Sequence, residues 1–233
     1  MGMKALVLSS GGVDSTTCLG IAIEKYGKEN VVTASLFYGQ KHFRELECAN
    51  KVARYYGIPH YELNISRIFE FSNCSLLGHS TEKIVHESYA QQIQELGSQR
   101  INSYVPFRNG LMLSVAASYA DGLFPNEQIA IYFGGHADDA VGNVYADCTQ
   151  EFVTAMNAAI NIGTYKKIFI ESPLVNMHKA QVVKRGLELH VPYELTWSCY
   201  EGGEKQCGEC GTCIDRRKAF EANGVEDPVG YEK

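Results

Sequence analysis

The chain has 233 residues, 45% of them hydrophobic and 21% charged, and a formal net charge of −6. That is enough apolar material for one sizeable core, while the acidic balance argues against nucleic-acid binding, which normally needs a basic stripe. No apolar run approaches the length of a membrane span, and the N-terminus enters Lys4 and a strand without the charged-then-apolar pattern of a secretion signal, so the chain reads as a cytoplasmic protein acting on small molecules.

Strands and helices alternate from the start. Residues 4–9 predict a strand, 15–26 a helix, 31–38 a strand, 42–56 a helix and 60–65 a third strand. The first junction, Leu8-Ser9-Ser10-Gly11-Gly12-Val13-Asp14-Ser15-Thr16-Thr17-Cys18, joins an apolar strand to a helix through small and hydroxyl-bearing residues. Adjacent glycines let successive N–H groups turn toward an anion. The first turn of the helix adds unpaired donors and a partial positive charge, so phosphate is stabilised there without a lysine. The loop lacks the G-K-[ST] ending of a Walker A motif and the G-x-G-x-x-G of a dinucleotide fold. Its strand–loop–helix order favours an ATP-binding loop over an ordinary turn capped by Asp14 or Ser15.

From 66 to about 104 the rhythm breaks into a long polar segment, of the length expected for a lid or an interface. The alternation then resumes with a helix over 109–119, a strand over 128–134, a helix over 149–162, a strand over 167–171 and a helix over 178–189. Repeated βα units with continuous apolar strands predict an α/β fold, a doubly wound parallel sheet, in one domain over 1–233. Residues 196–233 form a small C-terminal metal-binding helical segment of that domain.

In such sheets ligands bind at the carboxyl ends of the strands. Tyr38 and Gln40 follow the second strand and suit a nucleoside or heterocycle, or form a plain turn. Arg108 enters a helix beside Asn109 and can grip phosphate bidentately, or Asn109 is a simple cap. The run Gly134-Gly135-His136-Ala137-Asp138-Asp139, followed by Tyr145-Ala146-Asp147-Cys148, offers carboxylates for Mg²⁺ or for the N–H groups of a heterocycle, against the alternative of a solvated acidic loop. Lys179 lies in the first turn of a helix, where the dipole disfavours a cation; a local anion such as departing pyrophosphate would explain it.

Eight cysteines in a chain of this length read as a metal site rather than a disulfide framework. Cys199, Cys207, Cys210 and Cys213 are separated by seven, two and two residues, with glycines that let the chain wrap tightly. Four thiolates fit a closed structural Zn²⁺ site worth on the order of 10 kcal/mol to the fold. Iron–sulfur ligation, whose C-x3-C-P ending is missing, and a redox pair are the weaker readings. Cys18, Cys48, Cys74 and Cys148 are scattered and show no activating histidine.

The run Ser10-Gly11-Gly12-Val13-Asp14-Ser15 resembles the S-G-G-x-D-S loop of the PP-loop ATP pyrophosphatases, which hold the β,γ-pyrophosphate and leave AMP on an acceptor oxygen. NAD and GMP synthetases, argininosuccinate synthetases and tRNA thiolases share that loop. The segments Thr196-Trp197-Ser198-Cys199-Tyr200, Cys207-Gly208-Glu209-Cys210-Gly211-Thr212-Cys213, Arg216, Phe220, Asp227-Pro228-Val229-Gly230-Tyr231, Val105-Pro106-Phe107-Arg108-Asn109 and Tyr145-Ala146-Asp147-Cys148 resemble the 7-cyano-7-deazaguanine synthase family. Val13, Ala146 and Thr149 depart from its usual pattern.

The resemblance implies an ATP-dependent ligase of queuosine biosynthesis that converts 7-carboxy-7-deazaguanine and ammonia to the nitrile through adenylated intermediates. It also implies structural zinc, ATP with Mg²⁺ and a homodimer, with ammonia free or supplied by a partner. On this reading Asp14, Ser15, Arg108 and Lys179 carry catalysis, with Asp14 orienting the loop or the metal rather than acting as a base. Residues Leu8 to Cys18 bind ATP, and Tyr38, Gln40, Asp139, Tyr145 and Asp147 contact the deazapurine. The alternatives are a ligase that stops at the amide, a tRNA thiolase, or a nucleotide- or zinc-dependent regulator without turnover.

Overall fold

Five parallel strands in the order β3-β2-β1-β4-β5 form the sheet of the computed structural model, which describes residues 2–87, 91, 92, 94, 101–140 and 145–233. The strands are β1 (Met3–Leu8), β2 (Val31–Phe37), β3 (His60–Asn64), β4 (Gln128–Tyr132) and β5 (Ile168–Glu171). The helices are α1 (Val13–Tyr26), α2 (Arg44–Tyr56), α3 (Arg108–Leu123), α4 (Gln150–Gly163), α5 (Lys179–Glu188) and α6 (Gly211–Glu221).

Successive side chains of a strand point to opposite faces, and in β1 that periodicity divides the core. Ala5 and Val7 pack with Leu19 of α1, Val52 of α2, Val182 of α5 and Phe220 of α6. Leu6 packs on the other side with Leu113 and Ala116 of α3 and Val153 of α4. Both faces are thus covered, which is why the central strands are apolar throughout rather than alternating. This is the doubly wound α/β architecture expected from the βα rhythm.

The chain leaves β1 to build β2 and β3 on one side, then returns to build β4 and β5 on the other. The strand order therefore reverses between β1 and β4, and the loops at their carboxyl ends flank a crevice. Ser9 N–H extends the ladder to the Ala34 carbonyl at 2.9 Å. A Cβ on Gly134, after β4, would lie 3.3 Å from the Ser15 nitrogen, so a glycine is what lets the two loops meet.

The polar segment after β3 is not a detached lid where it is described. Residues 66–77 fold onto the end of β2: Phe69, Cys74, Leu76 and Leu77 are buried against Leu36, Tyr38 and Val105, and Gln40 bridges to Leu77. Most of the Gln/Glu-rich part lies outside the described residues. Strand β4 ends two residues earlier than expected, at Tyr132, and α3 runs four residues longer, to Leu123. No helix among the described residues is long and apolar enough to cross a membrane.

The C-terminal segment is anchored by Arg216, whose side chain is completely buried. Its guanidinium donates to both Asp227 carboxylate oxygens at 2.7 and 2.9 Å, to Thr196 Oγ1 at 2.8 Å and to the Tyr193 carbonyl at 3.3 Å. A bidentate pair that also satisfies its remaining donors is the arrangement in which a buried charge is tolerated. Through it α6, the tail and the segment before the first cysteine of the cluster become one unit.

Candidate active site

A cavity of about 700 Å³ opens at the β1–β4 switch point, of a size to hold a drug-sized ligand or larger. The loop after β1 is held in shape by its own hydroxyls. Ser15 Oγ accepts from the Ser10 amide at 3.1 Å and lies 3.1 Å from Ser10 Oγ; it also donates to the Gly12 carbonyl at 3.3 Å. Gly12 caps α1 with no side-chain acceptor, so the first amides of the helix keep their capacity for a ligand. Gly11 has φ of +75°, and a Cβ there would collide with the Glu45 carbonyl oxygen and stand 2.6 Å from the Ala49 nitrogen. The missing side chain lets the first turn of α2 press against the loop.

Of the predicted ATP contacts, Leu8, Ser9, Ser10, Gly12, Val13, Asp14 and Ser15 line the cavity. Gly11 sits behind them against α2. Thr16, Thr17 and Cys18 do not line it. Thr16 Oγ1 donates to the Gly12 carbonyl at 2.7 Å, Thr17 meets Tyr193 Oη at 2.7 Å, and Cys18 is buried in the core beneath β4. All three are buried because this part of α1 is enclosed on every side, with residues 15–20 in the interior.

Two charged clusters line the cavity. In the first, Lys179 Nζ lies 2.7 and 2.6 Å from the two Asp14 oxygens. The Lys179 amide donates to Asp138 Oδ2 at 2.7 Å, and the other Asp138 oxygen takes a hydrogen bond from His178 Nδ1 at 2.6 Å. The anion that accommodates a cation in the first turn of α5 is thus Asp14 in this state. Burial pushes the Asp14 carboxyl up, but Lys179 and then His136 more than offset it, and the net shift is downward. A carboxylate held ionised in this way is a poor base, in keeping with an orienting role. Asp139, 3.5 Å from His136 Nε2, is shifted upward by its burial.

The second cluster surrounds Arg108. Its guanidinium stands 5.2 Å over the Tyr38 ring, donates to Tyr38 Oη at 3.5 Å and reaches Asn109 Oδ1 at 3.3 Å. Among the described residues no carboxylate oxygen lies within ion-pair distance of it. Tyr38, Gln40, Asp139 and Tyr145 line the cavity.

Asp147 does not line it. It is buried, its Oδ2 accepts the Asn109 amide at 3.1 Å, and its carbonyl accepts Asn109 Nδ2 at 3.3 Å. It satisfies the N-terminus of α3, the task that Asn109 was expected to perform. Thr149 caps α4 by accepting the Phe152 amide at 3.1 Å.

Glu45 was not singled out in the sequence. It sits in the first turn of α2, in a run of charged residues that reads as a solvated helix face, yet it lines the cavity. Burial pushes its carboxyl up to about 7, with Arg108 pulling the other way. A carboxyl whose folded pKa is raised stabilises the fold fully below its unfolded value near 4.5 and loses that contribution as pH rises toward about 7. Glu45→Gln is therefore expected to raise the melting temperature of the ligand-free protein by a few degrees at pH 8 and to leave it unchanged at pH 4. An equal effect at both values in a thermal melt would show that Glu45 is solvated.

Cys199, Cys207, Cys210 and Cys213 come together, all buried, with their sulfurs within 4.8 Å of one another. Four ligands at about 2.3 Å around a tetrahedral ion would stand roughly 3.8 Å apart, and Cys207 and Cys213 Sγ are 3.9 Å apart. Amides donate to these sulfurs, Cys207 N–H to Cys199 at 3.3 Å and Cys210 N–H to Cys207 at 3.3 Å, which favours thiolates. The donor set fits a metal ion.

The cluster also shapes the cavity. The Trp197 amide donates to the Gly11 carbonyl at 2.9 Å, and Trp197, Ser198 and Tyr200 form part of the wall. In the sequence these residues stand out only as a family signature. Of the remaining cysteines, only Cys148 reaches the cavity, and burial moves its thiol well above the usual range, so no activated cysteine faces a ligand.

The family described as queuosine biosynthesis protein QueC matches residues 4–224. The chain belongs to the QueC family. Among its QueC relatives, 7-cyano-7-deazaguanine synthase of Archaeoglobus fulgidus is 40% identical over 228 residues, covering 97% of this chain and 90% of that one. The enzymes of the same name from Caldicellulosiruptor bescii and Oceanobacillus iheyensis are each 41% identical, covering 99% of this chain and 98% and 99% of theirs. A solved NMN synthetase from Francisella tularensis is similar with a TM-score of 0.49 and 15% identity, covering 97% of this chain and 78% of that one.

Proposed function

We propose that this QueC-family chain converts 7-carboxy-7-deazaguanine and ammonia to 7-cyano-7-deazaguanine with ATP. The observation that carries the reading is one cavity with two distinct charged clusters, the phosphate loop with Asp14 and Lys179, and the Arg108–Tyr38 group.

A carboxylate is a poor electrophile. Attack of one of its oxygens on the α-phosphate of ATP makes an acyl adenylate and releases pyrophosphate; ammonia then displaces AMP to give the amide. Attack of the amide oxygen on a second ATP, followed by loss of AMP, gives the nitrile. The protein's share is placement and charge stabilisation. The α1 amides and Ser10 hold the phosphates, and Lys179 moves from Asp14 toward the charge that develops on the departing pyrophosphate. Asp138 and Asp139 are the cavity carboxylates that would hold a magnesium ion bound with ATP, which would supply charge neutralisation of the phosphates. Zinc is the metal that best suits the four thiolates, in a closed site without a position for a reacting water. Free ammonia and a homodimer belong to the same reading.

The test mixes the protein with ATP, Mg²⁺, 7-carboxy-7-deazaguanine and ammonia. AMP and pyrophosphate appear only when the deazapurine is present, and the product has the mass of the nitrile. Accumulation of the amide alone would leave the chain as an amide-forming ligase. No AMP release would make it a binding protein.

A further inference from the structure

The mechanism leaves Glu45, a charged group of the cavity wall, unused. Glu45 faces the cavity from α2 and makes no hydrogen bond or ion pair with any described residue. Arg108 faces the same space, half-buried and without a carboxylate partner among the described residues, and the two charges are felt together at Tyr38. Unneutralised opposite charges in a partly buried cavity are costly unless a ligand completes them. The walls around them include Leu36, Leu46, Leu76 and Met112, apolar surfaces suited to a flat ring.

A carboxy-deazaguanine carries a carboxylate at one end of a planar bicycle. At the other end it has an N–H and an amino group side by side, two donors spaced like the two oxygens of a carboxylate. An adenine ring cannot match that pairing, since its amino group stands beside acceptor nitrogens. We propose that Glu45 is a specificity residue that accepts both donors of the substrate's pyrimidine edge, while Arg108 holds the substrate carboxylate at the opposite end. This deepens the function proposed above and rests on it. Gly11 has a part in the placement, because its lack of a side chain lets the Glu45 backbone lie against the ATP loop, which puts the bound heterocycle beside the phosphates.

Calorimetric titration of the full-length, metal-loaded protein tests the proposal with two ligands, 7-carboxy-7-deazaguanine and its analogue lacking the 2-amino group. Wild type is expected to bind the full substrate about 10- to 100-fold more tightly than the analogue, the range for hydrogen bonds to a charged acceptor. Glu45→Gln should weaken the full substrate by about that factor, bind the two ligands nearly equally, and keep its ATP affinity and metal content. Arg108→Gln should weaken both ligands alike. Equal binding of the two ligands by wild type overturns the proposal. So does a Glu45→Gln variant that keeps the discrimination but loses turnover or needs more ammonia, the behaviour of a proton-transfer residue. Binding is read separately from turnover: a wild type that discriminates as expected yet makes no nitrile contradicts the proposed reaction and not the recognition.

Discussion

Lys179→Met is expected to lower kcat/KM for ATP by about 10²- to 10³-fold, the cost of removing a preorganised charge from a developing oxyanion. Lys179 Nζ lies within 2.7 Å of both oxygens of Asp14 in the loop, and the α1 amides that remain are neutral donors. The loss should fall mainly on kcat, because the lysine changes partner as pyrophosphate leaves instead of binding ground-state ATP more tightly. The variant also leaves the Asp14 carboxylate without its main counter-charge, so its melting temperature should drop. The double variant Lys179→Met/Asp14→Asn separates the two effects: it should regain stability but not rate. A double variant that regains rate would mean that the lysine only silences Asp14. Steady-state kinetics beside thermal melts decide the matter.

Stripping the metal from the cysteine cluster is expected to lower the melting temperature by roughly 10 °C or more, since the binding energy of such a site is folding energy. The effect should reach the ATP site as well. Trp197 hydrogen-bonds to the Gly11 carbonyl, Thr212 Oγ1 donates to the Ser198 carbonyl at 2.7 Å, and Tyr200 stands in the cavity wall. Trp197 is the single tryptophan of the chain, so its fluorescence should report both the loss of metal and the weakening of ATP binding in one titration. Cys213→Ser should behave like the chelated protein. If metal-free protein bound ATP with unchanged affinity, the cluster would be an appendage.

Much of this was legible in the sequence, for identifiable reasons. The strand–glycine–helix junction at residues 8–15 is local: its shape follows from adjacent residue types, so Ser10, Gly12 and Asp14 stand where the motif placed them. The cysteine cluster is nearly local, with three ligands within seven residues. The α/β rhythm survives because apolar strands and amphipathic helices differ in period.

What failed depends on distance. Asp147 carries the right chemistry for a heterocycle, but α3 needed an acceptor for its first amides and took it. Thr16, Thr17 and Cys18 continue the motif in sequence, yet α1 is enclosed all round along residues 15–20 and they lie in the interior. Lys179 was expected beside an anion, and the nearest is 165 residues away in Asp14. Glu45 was missed because its neighbours along the chain are charged, while its environment is set by burial in the cavity wall, with Arg108 from a different element opposing the shift.

The reaction can be followed atom by atom. With both carboxylate oxygens of 7-carboxy-7-deazaguanine labelled with ¹⁸O, two adenylations carry one label into each AMP. Mass spectrometry should therefore find two AMP per nitrile, each singly labelled, and pyrophosphate without label. Label in released water or phosphate, or a nitrile formed with unlabelled AMP, would contradict activation of the acceptor at the α-phosphate, and with it the roles assigned to the phosphate loop, Lys179 and Arg108 in this cavity.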